Sequence, residues 1–305
     1  MEWTADVSAG DWLRERIDDP WSGTMHDVVP RGFPAYARIF HPGHTTDADD
    51  VTRTATWAQT AAAFGTEFHA GAQWGRLVRT PSDANAWQQV TAPDGRVFDA
   101  PAEGALESDL VAVVAGILAS HTSTPDAGYV ALWEGDGALL GHLGDGPSRV
   151  FFQIGDPEDP ALSHHNEMLA HAVKDPFNNV FRKPTWQEGI LSREISEGPR
   201  LELPGRGHVL FRGGVAELAD PDWVLRVPWR DRPAEAHGFD PAAQSPSLIW
   251  PDDRAWVLVT EVDHDSTIVG GSSELIGALV TDERLEALPI SEGAELTWDS
   301  DEVNR

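Results

Sequence analysis

The sequence predicts an α+β protein with a helix-rich N-terminal third and a mixed or antiparallel sheet in the remainder. Apolar residues recur at helical spacing in the first third, whereas short apolar runs separated by glycine and proline turns dominate the rest. Helices and strands do not alternate regularly, which argues against an α/β fold. The 305 residues suffice for one large domain or two smaller ones. We expect two lobes, residues 1–155 and 156–305, or one continuous domain.

The N-terminal elements are predicted from apolar spacing and from helix caps. Trp12, Leu13 and Ile17 fall on one side of a helix, and Gly65 follows another helix at the usual place of a left-handed cap. Residues 106–121 are apolar nearly all round, which is typical of a buried central helix. The predicted elements are helices over 11–18, 57–64 and 106–121, a strand over 33–40 and a loop over 41–50.

The later elements are predicted mainly as strands. Pro204 and Gly205 separate two short apolar runs and favour a hairpin with a type II turn. Ser272 precedes a helical pattern as a capping residue, and Glu274 favours the first turn of that helix. The predicted elements are strands over 129–133, 150–154, 201–203, 208–211, 223–227 and 255–262, and a helix from 272 to about 281.

Composition excludes several classes of protein. The absence of cysteine excludes a disulfide framework, a cysteine nucleophile and thiolate metal sites. Binding to nucleic-acid backbones is not expected, because the formal net charge is −28 and such binding depends on Lys and Arg. The N-terminus shows no signal-peptide pattern and no apolar run is long enough for a membrane span, so we expect a cytoplasmic protein without a membrane segment.

The sequence lacks the required residues of three nucleotide-binding or catalytic motifs. The glycines between 135 and 146 do not follow the dinucleotide fingerprint, because Leu140 occupies the third glycine position. Neither lysine of the chain, Lys174 or Lys183, follows a glycine as a P-loop requires. The stretch 270–274 lacks the last glycine of a nucleophile elbow.

Histidines on one predicted helix form a weak candidate metal site. His164, Glu167 and His171 follow Asp159-Pro160 at helical spacing and share one face, which could hold a divalent ion. The opposite face is apolar, so the histidine face is expected to point to solvent. An ordinary polar face is therefore the favoured interpretation.

The acidic segment after the strand over 255–262 is the strongest candidate site. In an extended chain Glu261, Asp263 and Asp265 project to the same side. Neighbouring carboxylates raise at least one pKa unless a cation intervenes, and perturbed carboxyls concentrate at functional sites. A calcium loop is excluded because glycine is missing at the required position in either register. The alternative interpretation is a solvated strand edge.

One long motif is Ser-Pro-Ser-Leu-Ile-Trp-Pro-Asp-Asp-Arg-Ala-Trp at residues 245–256, continuing through 260–263 to 269–272. Shorter motifs are residues 29–33, 36–38, 41–42, 56–58, 121–125, 132–135, 203–206 and 211–213. Together these segments resemble a family of uncharacterised actinobacterial proteins. That family has no assigned activity, so the resemblance implies no cofactor or partner. It implies that the acids near Glu261 and the turn from Trp250 to Arg254 belong to one recurring unit.

Two functional hypotheses follow from these residues. The first is a non-catalytic binding or regulatory protein that docks a basic partner or a small cationic ligand, with Glu261, Asp263, Asp265, Trp250 and Arg254 as binding residues. Residues 251–305 support it with 14 acidic and three basic side chains. The second is a hydrolase-type enzyme that uses the three acids with a divalent cation, for which oxygen ligands favour Mg²⁺, Mn²⁺ or Ca²⁺. No cofactor motif is present, and the first hypothesis is favoured.

Overall fold

The fold was analysed in a computed structural model, which describes residues 1–18, 22–80, 87–144 and 184–305. Within these ranges the protein is mostly sheet, with 15 strands in three antiparallel sheets and seven short α-helices. The predicted α+β class with a helix-rich N-terminal third is therefore wrong. No helix in these ranges combines the length and the apolar character needed to cross a bilayer.

The strands are numbered in chain order. They are β1 (Glu2–Trp3), β2 (Ala35–Phe40), β3 (Gly43–Thr46), β4 (Thr52–Ala55), β5 (Gln89–Thr91), β6 (Val97–Asp99), β7 (Gly128–Trp133), β8 (His142–Gly144), β9 (Thr185–Gln187), β10 (Leu201–Leu203), β11 (Arg206–Arg212), β12 (Leu248–Pro251), β13 (Val257–Thr260), β14 (Ser266–Gly271) and β15 (Ala287–Ile290).

The α-helices of the described ranges are short, and among them only α2, α4 and α7 exceed two turns. They are α1 (Asp11–Arg14), α2 (Trp57–Phe64), α3 (Trp74–Leu77), α4 (Ser108–Ala119), α5 (Arg193–Ser196), α6 (Arg232–Ala236) and α7 (Ser273–Thr281).

Two compact units divide the chain, and both are discontinuous in sequence. The larger comprises Met1–Trp133, Arg200–Trp223 and Gln244–Arg305, and the smaller comprises Glu134–Pro199 and Val224–Ala243. The predicted boundary at residues 155 and 156 lies outside the described residues. Within the smaller unit, β8 pairs with β9, and Arg230 forms an ion pair with Glu235 of α6.

A nine-stranded antiparallel sheet forms the centre of the larger unit. Its strands lie in the order β1-β11-β7-β12-β13-β14-β2-β15, and β10 also pairs with β11. Val257 and Val259 of β13 face a core that contains Trp12 and Leu13 of α1. Because successive residues on a strand point to opposite faces, Leu258 points the other way and lies beside Val111 of α4. The sheet is thus covered on both faces.

A four-stranded antiparallel sheet, in the order β4-β3-β6-β5, has a separate core within the larger unit. Helices α2 and α3 supply Trp57 and Trp74, whose rings meet edge to face at 5.4 Å. Phe98 of β6 and Phe40 at the end of β2 complete this aromatic core. Phe40 therefore links the two sheets through buried apolar surface.

Several predicted elements are confirmed because their signals are local. Gly65 ends α2 in the left-handed conformation, with φ 65° and ψ 41°. The side chain of Ser272 accepts a hydrogen bond from the Leu275 amide and so caps α7. The hairpin of β10 and β11 forms with Gly205 at φ 76°, and α4 lies within the predicted range.

Two element predictions are wrong because tertiary pairing overrides the local pattern. The predicted loop 41–50 contains β3, which is polar and half-buried but pairs with both β4 and β6. The predicted strand over 223–227 is a 3₁₀ turn at Trp223–Leu225. The predicted strand over 150–154 lies outside the described residues.

We expect Gly128→Ala to destabilise the protein by about 1–3 kcal/mol or more, because a Cβ there would lie 2.5 Å from the Trp250 carbonyl oxygen in the central sheet. The matched control is Gly116→Ala in α4, where a Cβ meets no atom within 4 Å. That substitution should stabilise by up to about 1 kcal/mol through helix propensity. Urea unfolding of both variants measures the difference, and equal midpoints would contradict this packing.

Candidate functional site

The predicted acidic residues lie in the turn between β13 and β14. Strand β13 ends at Thr260, earlier than the predicted 262, so the strand alternation expected for Glu261, Asp263 and Asp265 does not apply. The amide of His264 donates to the carbonyl oxygen of Glu261 at 3.0 Å and closes the turn. The three carboxylates therefore do not share one partner: Glu261 and Asp263 pair with Arg206, and Asp265 pairs with Arg38.

Arg206 binds two of these acids. Its guanidinium donates to Glu261 Oε1 from Nε at 3.0 Å and from Nη2 at 2.7 Å, and also to Asp263 Oδ2. The same guanidinium lies 5.4 Å from the ring centroid of Trp133. Partial burial opposes the charge of Arg206, but Glu261 and Asp263 raise its pKa.

Asp265 pairs instead with a fully buried arginine. Arg38 of β2 donates from Nη2 to Asp265 at 3.1 Å and from Nε to the Ser266 hydroxyl at 2.8 Å. Its Nη1 donates to the backbone carbonyls of Ala70 and Ala72. Burial raises the pKa of the Asp265 carboxyl, while Arg38 lowers it. The pair thus joins the turn, the sheet and the loop before α3.

Glu103 adds a fourth carboxyl that the sequence reasoning did not identify. Among the described residues no Lys, Arg or His forms an ion pair with it. Partial burial, and then the charges of Asp265 and Asp263, raise the pKa of Glu103. The neighbouring Gly104 has φ 69°, and a Cβ there would lie 2.7 Å from the Val262 backbone, so this loop is fixed against the turn. We call Glu103, Glu261, Asp263 and Asp265 the acidic cluster.

The histidines beside the acidic cluster are neutral at physiological pH. His41 Nδ1 lies 2.7 Å from the Ala102 carbonyl oxygen, and its Nε2 lies 2.9 Å from the Thr267 hydroxyl. A carbonyl only accepts, so Nδ1 carries the proton and Nε2 accepts from Thr267. Burial lowers the pKa of His41 to about 4, and burial followed by Arg38 lowers that of His264 to about 4. Since these histidines carry no charge, the four carboxylates of the acidic cluster are matched by only two neighbouring arginines, Arg38 and Arg206.

The space beside Arg206 is small. A cavity of about 20 Å³ lies among Arg206, His208, Thr260 and Glu261, together with apolar neighbours. That volume holds roughly one water molecule. Burial lowers the pKa of His208 to about 4, and its Nδ1 is buried without a hydrogen-bond partner among the described residues. A bound water would satisfy that nitrogen, whereas a substrate would not fit.

The other predicted site residues lie elsewhere. Trp250 is buried, stacks on Tyr129 at 5.4 Å and touches Trp12 edge to face. Arg254 is exposed, and its guanidinium lies over Trp12 at 5.4 Å. Trp250 lies in β12 and Arg254 in the turn between β12 and β13, at the opposite end of β13 from Glu261. The structure therefore does not bring Trp250 and Arg254 together with the acidic cluster.

No group of three or more His, Asp or Glu side chains in the described part of the chain is arranged to hold a metal ion. The candidate ligands His164, Glu167 and His171 lie outside the described residues. In the acidic cluster, Glu261, Asp263 and Asp265 face arginines, so a divalent cation would have to replace a guanidinium at each one.

Sequence reasoning missed Arg38, Glu103 and Arg206, and it interpreted His41 as part of a polar loop. Their roles depend on contacts between distant segments, so local spacing contains no signal for them. Another missed contact is at Asp253, whose carboxylate accepts from the Ser123 amide and hydroxyl, both at 2.7 Å. Ser123 and Asp253 both belong to the segments of the resemblance noted above, as do Arg38, His41 and Arg206, and that resemblance was the available signal for these residues.

Comparisons with protein-family models, with curated proteins and with solved structures found no match for this chain. We therefore infer function from the chemistry of its own residues.

Replacing Arg38 should destabilise the fold strongly. We expect Arg38→Met to cost about 3–5 kcal/mol, because it leaves Asp265 and two carbonyls without their partner in a buried site. Asp265→Asn should cost less, since Arg38 keeps three other acceptors. Denaturant unfolding gives both values, and a loss below about 1 kcal/mol for Arg38→Met would refute this role.

The buried histidines predict a definite pH dependence. An unfolded histidine binds a proton below pH 6.5, whereas folded His41 binds one only near pH 4. The unfolded state therefore holds more protons between these values, and stability falls as pH falls from about 6.5 to about 4. His41 contributes on the order of 3 kcal/mol to this loss.

The variant His41→Gln should lower the slope of unfolding free energy against pH across that window. The half-buried His44 serves as the control through His44→Gln. An unchanged slope in the His41 variant would show that this histidine is not held neutral by burial.

Proposed function

We propose that the protein is a non-catalytic binding or regulatory protein that docks a basic partner, or a small cationic ligand, at the acidic cluster. The charge balance there supports this function. Four carboxylates share two arginines, and the side chain of Asp263 is 76% exposed. A Lys or Arg side chain of a partner would reach this face of the turn from solvent.

Glu103 is the observation that carries the proposal. Its carboxylate has no cation beside it in the described residues, and its pKa is raised by burial and by Asp265 and Asp263. A group whose charged form is disfavoured by like charges gains free energy when a cation binds next to it. The rigid Gly104 contact keeps Glu103 near the turn, so less ordering is needed on binding.

The alternative is a divalent-metal-dependent hydrolase that uses Glu261, Asp263 and Asp265. The geometry favours it less. Asp265 is committed to the buried Arg38, and Glu261 and Asp263 are committed to Arg206. The adjacent cavity of about 20 Å³ is also far smaller than a ligand pocket, which usually occupies several hundred Å³.

Titration with an arginine-rich peptide at low ionic strength tests the proposal. We expect saturable binding that weakens as salt rises, because the attraction is between partly exposed charges. Glu103→Gln should weaken binding about fivefold, which corresponds to roughly 1 kcal/mol for a surface charge pair. The variant removes a charge without removing a contact on which the fold depends.

Glu2→Gln is the matched control, since it removes the same charge. In the pairing of β1 with β11, Glu2 lies opposite Arg212, which is at the other end of β11 from Arg206. An equal loss of affinity for the peptide in both variants would indicate a general effect of net charge and would refute a site at Glu103. Saturable binding of Mg²⁺ or Mn²⁺ that is abolished by Asp263→Asn would replace the proposal by the hydrolase alternative.

A further inference from the structure

A second candidate site is a cleft with the opposite charge. It lies at the surface of the larger unit, where the end of α2, α3 and residues 303–305 meet, and has a volume of about 570 Å³. Arg76, Arg79 and Thr80 line it, with Glu67 as an acidic neighbour. We call it the arginine cleft. Its basic character contrasts with the net charge of −28 of the whole chain.

Arg79 is held in place by the helix end. Its Nε donates to the Phe64 carbonyl at 3.0 Å and its Nη2 to the Gly65 carbonyl at 2.7 Å. The residue adopts φ 56°, a left-handed conformation that is unfavourable for a side chain of this size. These contacts explain the fixed position of the guanidinium, whose Nη1 is not engaged by any described residue.

Arg76 and Thr80 have unused hydrogen-bonding capacity. The Arg76 side chain has no ion pair or hydrogen-bond acceptor within the described ranges. The Thr80 hydroxyl is buried and likewise has no partner there. The Thr80 hydroxyl oxygen is closed off from solvent, so the donors that can reach a ligand in the cleft are those of the two guanidinium groups.

We propose that the arginine cleft binds the phosphate group of a small phosphorylated molecule. Guanidinium groups match the geometry of phosphate oxygens and form charge-assisted hydrogen bonds with them. The cleft volume exceeds that of a phosphate ion and leaves room for the organic part of a ligand. This site uses none of the residues of the acidic cluster, so its test does not depend on whether the proposed function is correct.

Calorimetric titration with inorganic phosphate and, separately, with adenosine 5′-monophosphate tests the site at fixed low ionic strength. Saturable binding of either probe is expected. Arg76→Gln should weaken it about tenfold to a hundredfold, as expected for one charge-assisted hydrogen bond. Because the Arg76 side chain makes no ion pair or hydrogen bond with the described residues, the variant should unfold at the same denaturant concentration as the parent.

Two further variants separate a binding role from a structural one. Thr80→Val removes a buried hydroxyl while keeping the shape, so it should leave phosphate binding unchanged and the unliganded protein as stable or more stable. Arg232→Gln, an exposed arginine in the smaller unit, should leave binding unchanged.

The two probes also distinguish the source of the affinity. Equal affinity for both supports a site for the phosphate group itself, and tighter binding of the nucleotide supports a phosphorylated ligand that fills more of the cleft. Absence of binding by both probes, or parental affinity in Arg76→Gln, would overturn the proposal.

Discussion

The burial of Arg38 is the constraint on which the surrounding structure depends. A guanidinium removed from water needs acceptors for its donors, and Arg38 finds them on Asp265, on Ser266 and on the carbonyls of Ala70 and Ala72. These acceptors come from β14, from the turn before it and from the loop before α3. The rings of Phe40 and Trp57 cover the guanidinium at 4.6 and 5.5 Å. One side chain thereby fixes the central sheet against the smaller aromatic core.

This constraint also determines the chemistry of the acidic cluster. Asp265 serves as the counter-ion of Arg38 and is not available to coordinate a metal at little cost, because breaking a buried pair leaves a charge without a partner. Glu261 and Asp263 share Arg206, so the remaining excess of negative charge concentrates at Glu103. The function of the cluster therefore depends less on the number of acids than on which of them lacks an arginine. That distribution favours recognition of a cation over coordination of a metal.

The parts of the fold predicted from sequence are those with local signals. Helix α2 is followed by Gly65, α7 is preceded by Ser272, and the hairpin of β10 and β11 contains Pro204-Gly205. Strand β3 was missed because it is polar and half-buried and gains stability from its pairing with β4 and with the more distant β6. The same reason applies to the site. Arg38 and Asp265 are separated by 227 residues, and Arg206 and Glu261 by 55, so no spacing in the sequence could pair them.

The two proposed sites differ in how the charge of the whole protein acts on them. At physiological salt the screening length is about 8 Å, so each site responds mainly to its nearest charges. At lower salt the remaining negative charge of the chain attracts a cation to the acidic cluster and repels an anion from the arginine cleft. Salt therefore weakens cation binding through both local and distant charges, whereas for phosphate it weakens local attraction but also reduces distant repulsion. The net negative charge of the chain thus favours ligand binding at the acidic cluster and opposes it at the arginine cleft. This difference is the physical basis for treating the two surfaces as separate sites.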